Sequence, residues 1–119
     1  MSRKILLVVK SPPYGSSTAT ECLRIATAMI AMDVLPQLLF VDDGIYCLLK
    51  EQDPEQIGLQ SFHERLKTLA DLIGLYVAED SLHRRKLKKT DINENYNVET
   101  VSTEEMANLF LENESVMTF

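Results

Sequence analysis

The sequence predicts one α/β/α domain built on a mostly parallel sheet of about five strands. Three observations carry this expectation. First, Lys4-Ile5-Leu6-Leu7-Val8-Val9-Lys10 is a short apolar run that breaks off at Ser11-Pro12-Pro13-Tyr14-Gly15. Second, Gln37-Leu38-Leu39-Phe40-Val41 does the same at Asp42-Asp43-Gly44. Both read as buried parallel strands, apolar on both faces. Third, segments of helical periodicity alternate with the strands, as βαβ connections require. The 119 residues suffice for a single domain, 1–119, with its own core.

Each element follows from local chemistry. The first strand is Lys4–Lys10, since Pro12 and Pro13 lack the amide hydrogens of a central strand. Ser16, Ser17 and Thr18 are candidate N-caps, with Glu21 completing a capping box from Thr18. The helix from about Ala19 to Met32 carries a wide stripe of Ala19, Cys22, Leu23, Ala26 and Ile30, and ends at Asp33 and Pro36. The second strand is Gln37–Val41. A short helix over Ile45–Lys50 follows the Asp-Asp-Gly turn, then a loop over Glu51–Leu59. The next helix spans Ser61–Ile73 and is capped by Gly74. Leu75–Ala78 is the third strand, Ser81–Lys89 a charged helix and Thr90–Asn97 a polar surface loop. Val98–Val101 is the fourth strand. Ser102-Thr103-Glu104-Glu105 opens a last helix with Met106, Leu109 and Phe110 inward. Ser115–Phe119 closes the chain as a strand.

Composition excludes several function classes. No window approaches the about 18 apolar residues of a membrane span. The first residues lack the pattern of a secretory leader, so the expected location is cytoplasmic. Cys22 and Cys47 have no metal-binding or disulfide-framework spacing. A net charge of −6 argues against direct nucleic-acid binding by the whole chain. The run His83-Arg84-Arg85-Lys86-Leu87-Lys88-Lys89 is the exception, holding five of the twelve Lys and Arg residues. Arg84, Arg85 and Lys86 are therefore candidate contacts for an acidic partner, against the alternative of a solvated helix face.

Loops at the carboxyl ends of parallel strands build the sites of such folds. Ser11, Gly15 and Ser16 lead into a helix N-terminus, and with Asp43 they form a candidate rim for a small anion or nucleotide. The competing reading is a tight turn with a cap. P-loop and GxGxxG spacings are absent, and no cofactor is expected. Asp42 and Asp43 are too few ligands for a cation, so one is expected to cap the helix that follows. His63 and His83 have no metal-like partners in sequence and are expected on the surface. Cys47 is the candidate catalytic thiol: it sits near a helix start, whose amides favour a thiolate, and is expected on the helix flank. Cys22 lies on the apolar stripe and is expected to be inert.

The Pro13-Tyr14-Gly15-Ser16 turn with its Glu21-Cys22-Leu23 helix, the stretch from Phe40 to Tyr46, Leu72-Ile73-Gly74-Leu75-Tyr76 and Ser81-Leu82-His83-Arg84-Arg85 form an ordered set. In that order they resemble the DsrE/DsrF-like family over essentially the whole chain, most closely its DsrF and TusC branch. The resemblance implies a role in sulfur relay, the transfer of persulfide sulfur toward tRNA thiolation or within sulfur metabolism. It implies assembly with DsrE-like and DsrH-like chains, or with itself. It also implies that the carrier cysteine of sulfur-bearing members falls at Ala78, where this chain has no thiol. Three functional expectations follow, in this order: an accessory, non-catalytic subunit of a DsrEFH/TusBCD-type complex; a small-anion or nucleotide-binding module at the rim; and a sulfurtransferase using Cys47. The apolar Val116-Met117-Thr118-Phe119 end suits an oligomer under all three.

Overall fold

The computed structural model describes residues 4–50 and 59–119. Five strands form one sheet: β1 (Ile5–Val9), β2 (Gln37–Phe40), β3 (Leu75–Ala78), β4 (Glu99–Val101) and β5 (Ser115–Thr118). Their order is β4-β3-β2-β1-β5, and every pairing is parallel. The helices are α1 (Thr18–Ala31), α2 (Leu59–Ala70), α3 (Glu79–Arg84) and α4 (Thr103–Glu112). A 3-10 helix spans Asp42–Leu48, and shorter 3-10 turns span Lys89–Asp91 and Glu94–Tyr96.

The topology dictates an uneven sandwich. The connections from β1 through β4 all step the same way along the sheet, so right-handed crossovers place α1, α2 and α3 on one face. The connection from β4 to β5 steps back across the sheet and places α4 on the other. Side chains agree. Leu7, Val9, Leu38, Phe40, Leu75 and Val77 pack with Ala19, Cys22, Leu23, Ala26, Phe62, Leu66, Leu69 and Leu82 in the main core. On the opposite face Leu6, Val8, Leu39, Val101 and Leu109 form a small second core, flanked by Val41, Tyr76 and Met106.

Several local expectations are corrected. The capping box at α1 does not form: Ser17 is the N-cap and makes no side-chain bond. Glu21 instead pairs with Arg24 at 2.9 Å. A box forms instead at α4, with Ser102 Oγ accepting from the Glu105 amide and Glu105 Oε1 from the Ser102 amide, both at 3.1 Å. Gly74 does not cap α2, which ends at Ala70. The amides of Leu72 and Ile73 both close onto the Leu69 carbonyl. At Gly74, a Cβ would stand 3.0 Å from the Tyr76 ring.

The charged helix is displaced: α3 begins at Glu79 and stops at Arg84. Lys86 adopts φ 56°, its amide reaches the His83 carbonyl, and the Leu87 amide reaches Leu82 at 2.9 Å. This is a Schellman closure, which folds Leu87 back against the main core. The polar segment 90–97 is anchored rather than superficial, because Ile92 and Tyr96 are buried. The helix expected over Ile45–Lys50 starts three residues earlier, as a 3-10 helix from Asp42. Glu51–Gly58 of the expected loop lies outside the described residues, and α2 begins at Leu59. Phe110, expected inward, is 41% exposed. It stands on the flank of α4, where no second helix among the described residues covers it.

Candidate functional site

The carboxyl ends of β1, β2, β3 and β4 deliver Ser11, Asp42–Gly44, Ala78–Ser81 and Ser102 to one rim. Two contacts fix the middle of it. The Asp42 amide donates to Ser81 Oγ at 2.9 Å, with Ser81 buried and Asp42 in the left-handed region at φ 50°. Arg85 Nε and Nη2 both donate to Asp43 Oδ1, at 3.3 and 3.0 Å. Together they strap the loop after β2 to α3. Asp43 is thus engaged with Arg85 and not with a helix cap. Gly44 seats the 3-10 helix directly on β1: a Cβ there would lie 1.9 Å from the Val9 carbonyl oxygen. No other residue fits without moving backbone.

Cys47 is not on a helix flank but fully buried, at 0% exposure. The reason is the 3-10 winding. With about three residues per turn, residues three apart stack in one column. Gly44 and Cys47 share a column against the sheet, and Ile45 and Leu48 share another; all four are buried. The Cys47 thiol donates to the Ser11 carbonyl at 3.7 Å. Burial pushes its pKa far above the ordinary thiol range, the nearby Cys22 pushes the same way, and its own backbone hydrogen bond offsets only part. Cys22, also buried, is pushed up to about 12 by burial. Tyr96 is likewise raised to about 12, by burial first and by Cys47 second. The two cysteines and Tyr96 therefore form a neutral cluster in the main core, an environment that suppresses thiolate.

The remaining candidates separate. Gly15 is exposed and left-handed at φ 84°, and Ser16 Oγ reaches only Thr18 Oγ1, at 3.4 Å. Ser11 faces Cys47. No hydrogen bond among the described residues joins Asp43 to Ser11, Gly15 or Ser16. Arg84 pairs with Asp80 at 2.9 Å and Arg85 with Asp43. Lys86 forms no ion pair among the described residues. His83 is exposed. His63 is half-buried, and its Nε2 is buried without a partner among the described residues. Among them, no group of three or more His, Cys, Asp or Glu stands together as metal ligands, and no helix is long and apolar enough to cross a membrane.

Residues 3–119 match the model of the DsrE/DsrF-like family. The chain belongs to that family. It is 35% identical to the intracellular sulfur oxidation protein DsrF of Allochromatium vinosum, over 76% of this chain and 68% of the relative. It is 33% identical to a TusC homolog of Pseudomonas aeruginosa, over 73% and 75% of the two chains. In fold it is similar to the ychN protein of E. coli, with a TM-score of 0.77 and 22% identity over the full length of both chains. A protein of unknown function from Methanobacterium thermoautotrophicum superposes with a TM-score of 0.70 at 10% identity. Within this DsrE/DsrF-like frame, Ala78 ends β3 and serves as N-cap of α3. It is 2% exposed, a buried methyl group at the rim. Ser81 and Gly44, which build that rim, figured in the sequence reading only as parts of a motif and a turn, not as site residues. The Asp-Asp-Gly turn was the available sign for Gly44; a lone serine carries no sign of its distant partner.

Proposed function

We propose that this chain is an accessory subunit of a sulfur-relay complex of the DsrEFH/TusBCD type, working in the cytoplasm beside related DsrE-like and DsrH-like chains. One observation carries the reading. Both thiols of the chain are buried, and Ala78, where the family resemblance puts the carrier cysteine, bears none. A methyl group cannot ionise, attack a persulfide or hold sulfur. The kinship with DsrF and TusC proteins supports the same assignment. In this role the chain shapes the surroundings of a thiol borne by another subunit.

The test is intact-mass spectrometry after incubation with a cysteine desulfurase and cysteine. The wild-type chain is expected to take up no sulfur. Ala78→Cys places a thiol at the N-cap of α3, where amide dipoles favour the thiolate, and is expected to gain one sulfur. Sulfur mapped to Cys47 or Cys22 in the wild-type chain would sink the accessory reading and make the protein a carrier in its own right.

A further inference from the structure

We infer that the cavity between α3 and the end of β4 binds a small dipolar ligand, a short peptide with both ends free, its ammonium at Glu79 and its carboxylate at Lys89. The site uses neither the thiols nor Ala78, so it goes beyond the sulfur-relay reading and can fail without it.

The cavity measures about 660 Å³, within the about 300–1,000 Å³ of small-molecule sites. One wall is α3. Glu79, Asp80, Leu82 and His83 all line the cavity, and their spacing puts them on one face of the helix. Thr100, Ser102 and Thr103 form the opposite wall. The left-handed turn at Lys86 brings Leu87 and Lys89 into the same lining.

The lining is polarised along its length. Ala78 is in register with Val101, so Glu79 and Ser102 leave the sheet side by side. That end holds carboxylates and hydroxyls. From there α3 runs back along the sheet, as a crossover helix does. It carries His83, and beyond its last turn Lys89, toward the other end. Leu82 and Leu87 supply the apolar stretch of the lining. Asp80 is held by Arg84 at 2.9 Å. Glu79 and Lys89 are exposed and form no ion pair among the described residues. Thr100 Oγ1 is buried without a partner among the described residues, a free polar group in the wall.

These features narrow the ligand. With Asp80 engaged, Glu79 alone is too little for a hard cation, and no metal-binding cluster stands among the described residues. A bare oxyanion at Lys89 gains nothing from Glu79. A molecule with an ammonium and a carboxylate satisfies both ends. The six residues of α3 span about 9 Å at 1.5 Å per residue, and three extended peptide residues reach about 10 Å. A single amino acid carries both charges on one carbon and cannot bridge that distance.

An NMR titration of the full chain with trialanine tests the site. Amide shifts are expected in α3, in 87–89 and in 100–103, with binding that weakens as salt rises. N-acetyl-trialanine and trialanine amide each lack one end charge and are expected to bind about fivefold more weakly, with free alanine weaker still. Glu79→Gln is expected to weaken trialanine about fivefold while leaving the N-acetyl peptide unaffected; Lys89→Met should do the same while leaving the amide unaffected. Both side chains are exposed, and an unchanged circular dichroism spectrum separates lost binding from lost fold. Absence of shifts, shifts mapped elsewhere, capped peptides or alanine binding as tightly as trialanine, or variants that weaken every peptide alike would each overturn the proposal.

Discussion

The two faces of the sheet differ in kind. Under α1, α2 and α3 lies the main core, in which Phe40, Leu38, Leu66 and both cysteines reach complete burial. On the other face α4, a ten-residue helix, is the one helix among the described residues, and Phe110, Leu111 and Val116 remain exposed. The first face holds the molecule together. The second is what the molecule presents. The difference comes from strand order alone, since only one crossover steps backward.

The sharpest way to break this contrast is to remove one large side chain from each face and compare urea unfolding. Phe40→Ala, on the thick face, is expected to cost about 3–5 kcal/mol. Leu109→Ala, under α4, is expected near the lower end of the leucine range, about 2 kcal/mol, because its cavity can collapse toward solvent. Equal losses would erase the distinction. Ser102→Ala removes the capping box of the single helix on the thin face and is expected to cost about 1 kcal/mol.

His63 reports from α2 on the thick face. Desolvation lowers its pKa below 6.5. Between the lowered value and 6.5 the unfolded chain binds more protons than the folded one. Stability is therefore full above that window and falls as pH drops through it, levelling below the folded pKa. His63→Gln should flatten this slope; an unchanged pH profile would place the titration elsewhere. The smallest effect belongs to Leu111→Ser, expected to shift unfolding of the isolated chain by no more than about 0.5 kcal/mol. A large loss there would mean that Leu111 packs within its own chain.

The strands and the strong helices were legible because burial on both sides of a parallel sheet writes itself as unbroken apolar runs. The opening of α4 at Ser102-Thr103-Glu104-Glu105 was legible, and the box that forms there follows the Ser-x-x-Glu spacing. The Thr18–Glu21 box failed because the helix starts one residue early: Ser17 is the N-cap and Thr18 is already helical, so Thr18 cannot act as the cap. Cys47 was misplaced for a geometric reason. A helical wheel assumes α winding, and the 3-10 turn set by Gly44 against Val9 rotates the thiol into the core. The end of α3 was hidden because the pull of Leu87 toward the core is tertiary. Contacts between strand ends, such as Asp42 with Ser81, connect residues 39 apart and leave no local trace.

The pairing of β5 with β1 has a consequence for synthesis. β1 is synthesised about 110 residues ahead of its outer partner, since Ile5 is in register with Ser115. Until that segment is free, β1 carries a row of unsatisfied amides and carbonyls beside Leu6 and Val8. Such an edge is a template for unwanted pairing, and long-range parallel closure is slow. Chaperone demand during translation should therefore track the emergence of β5 rather than the completion of the main core.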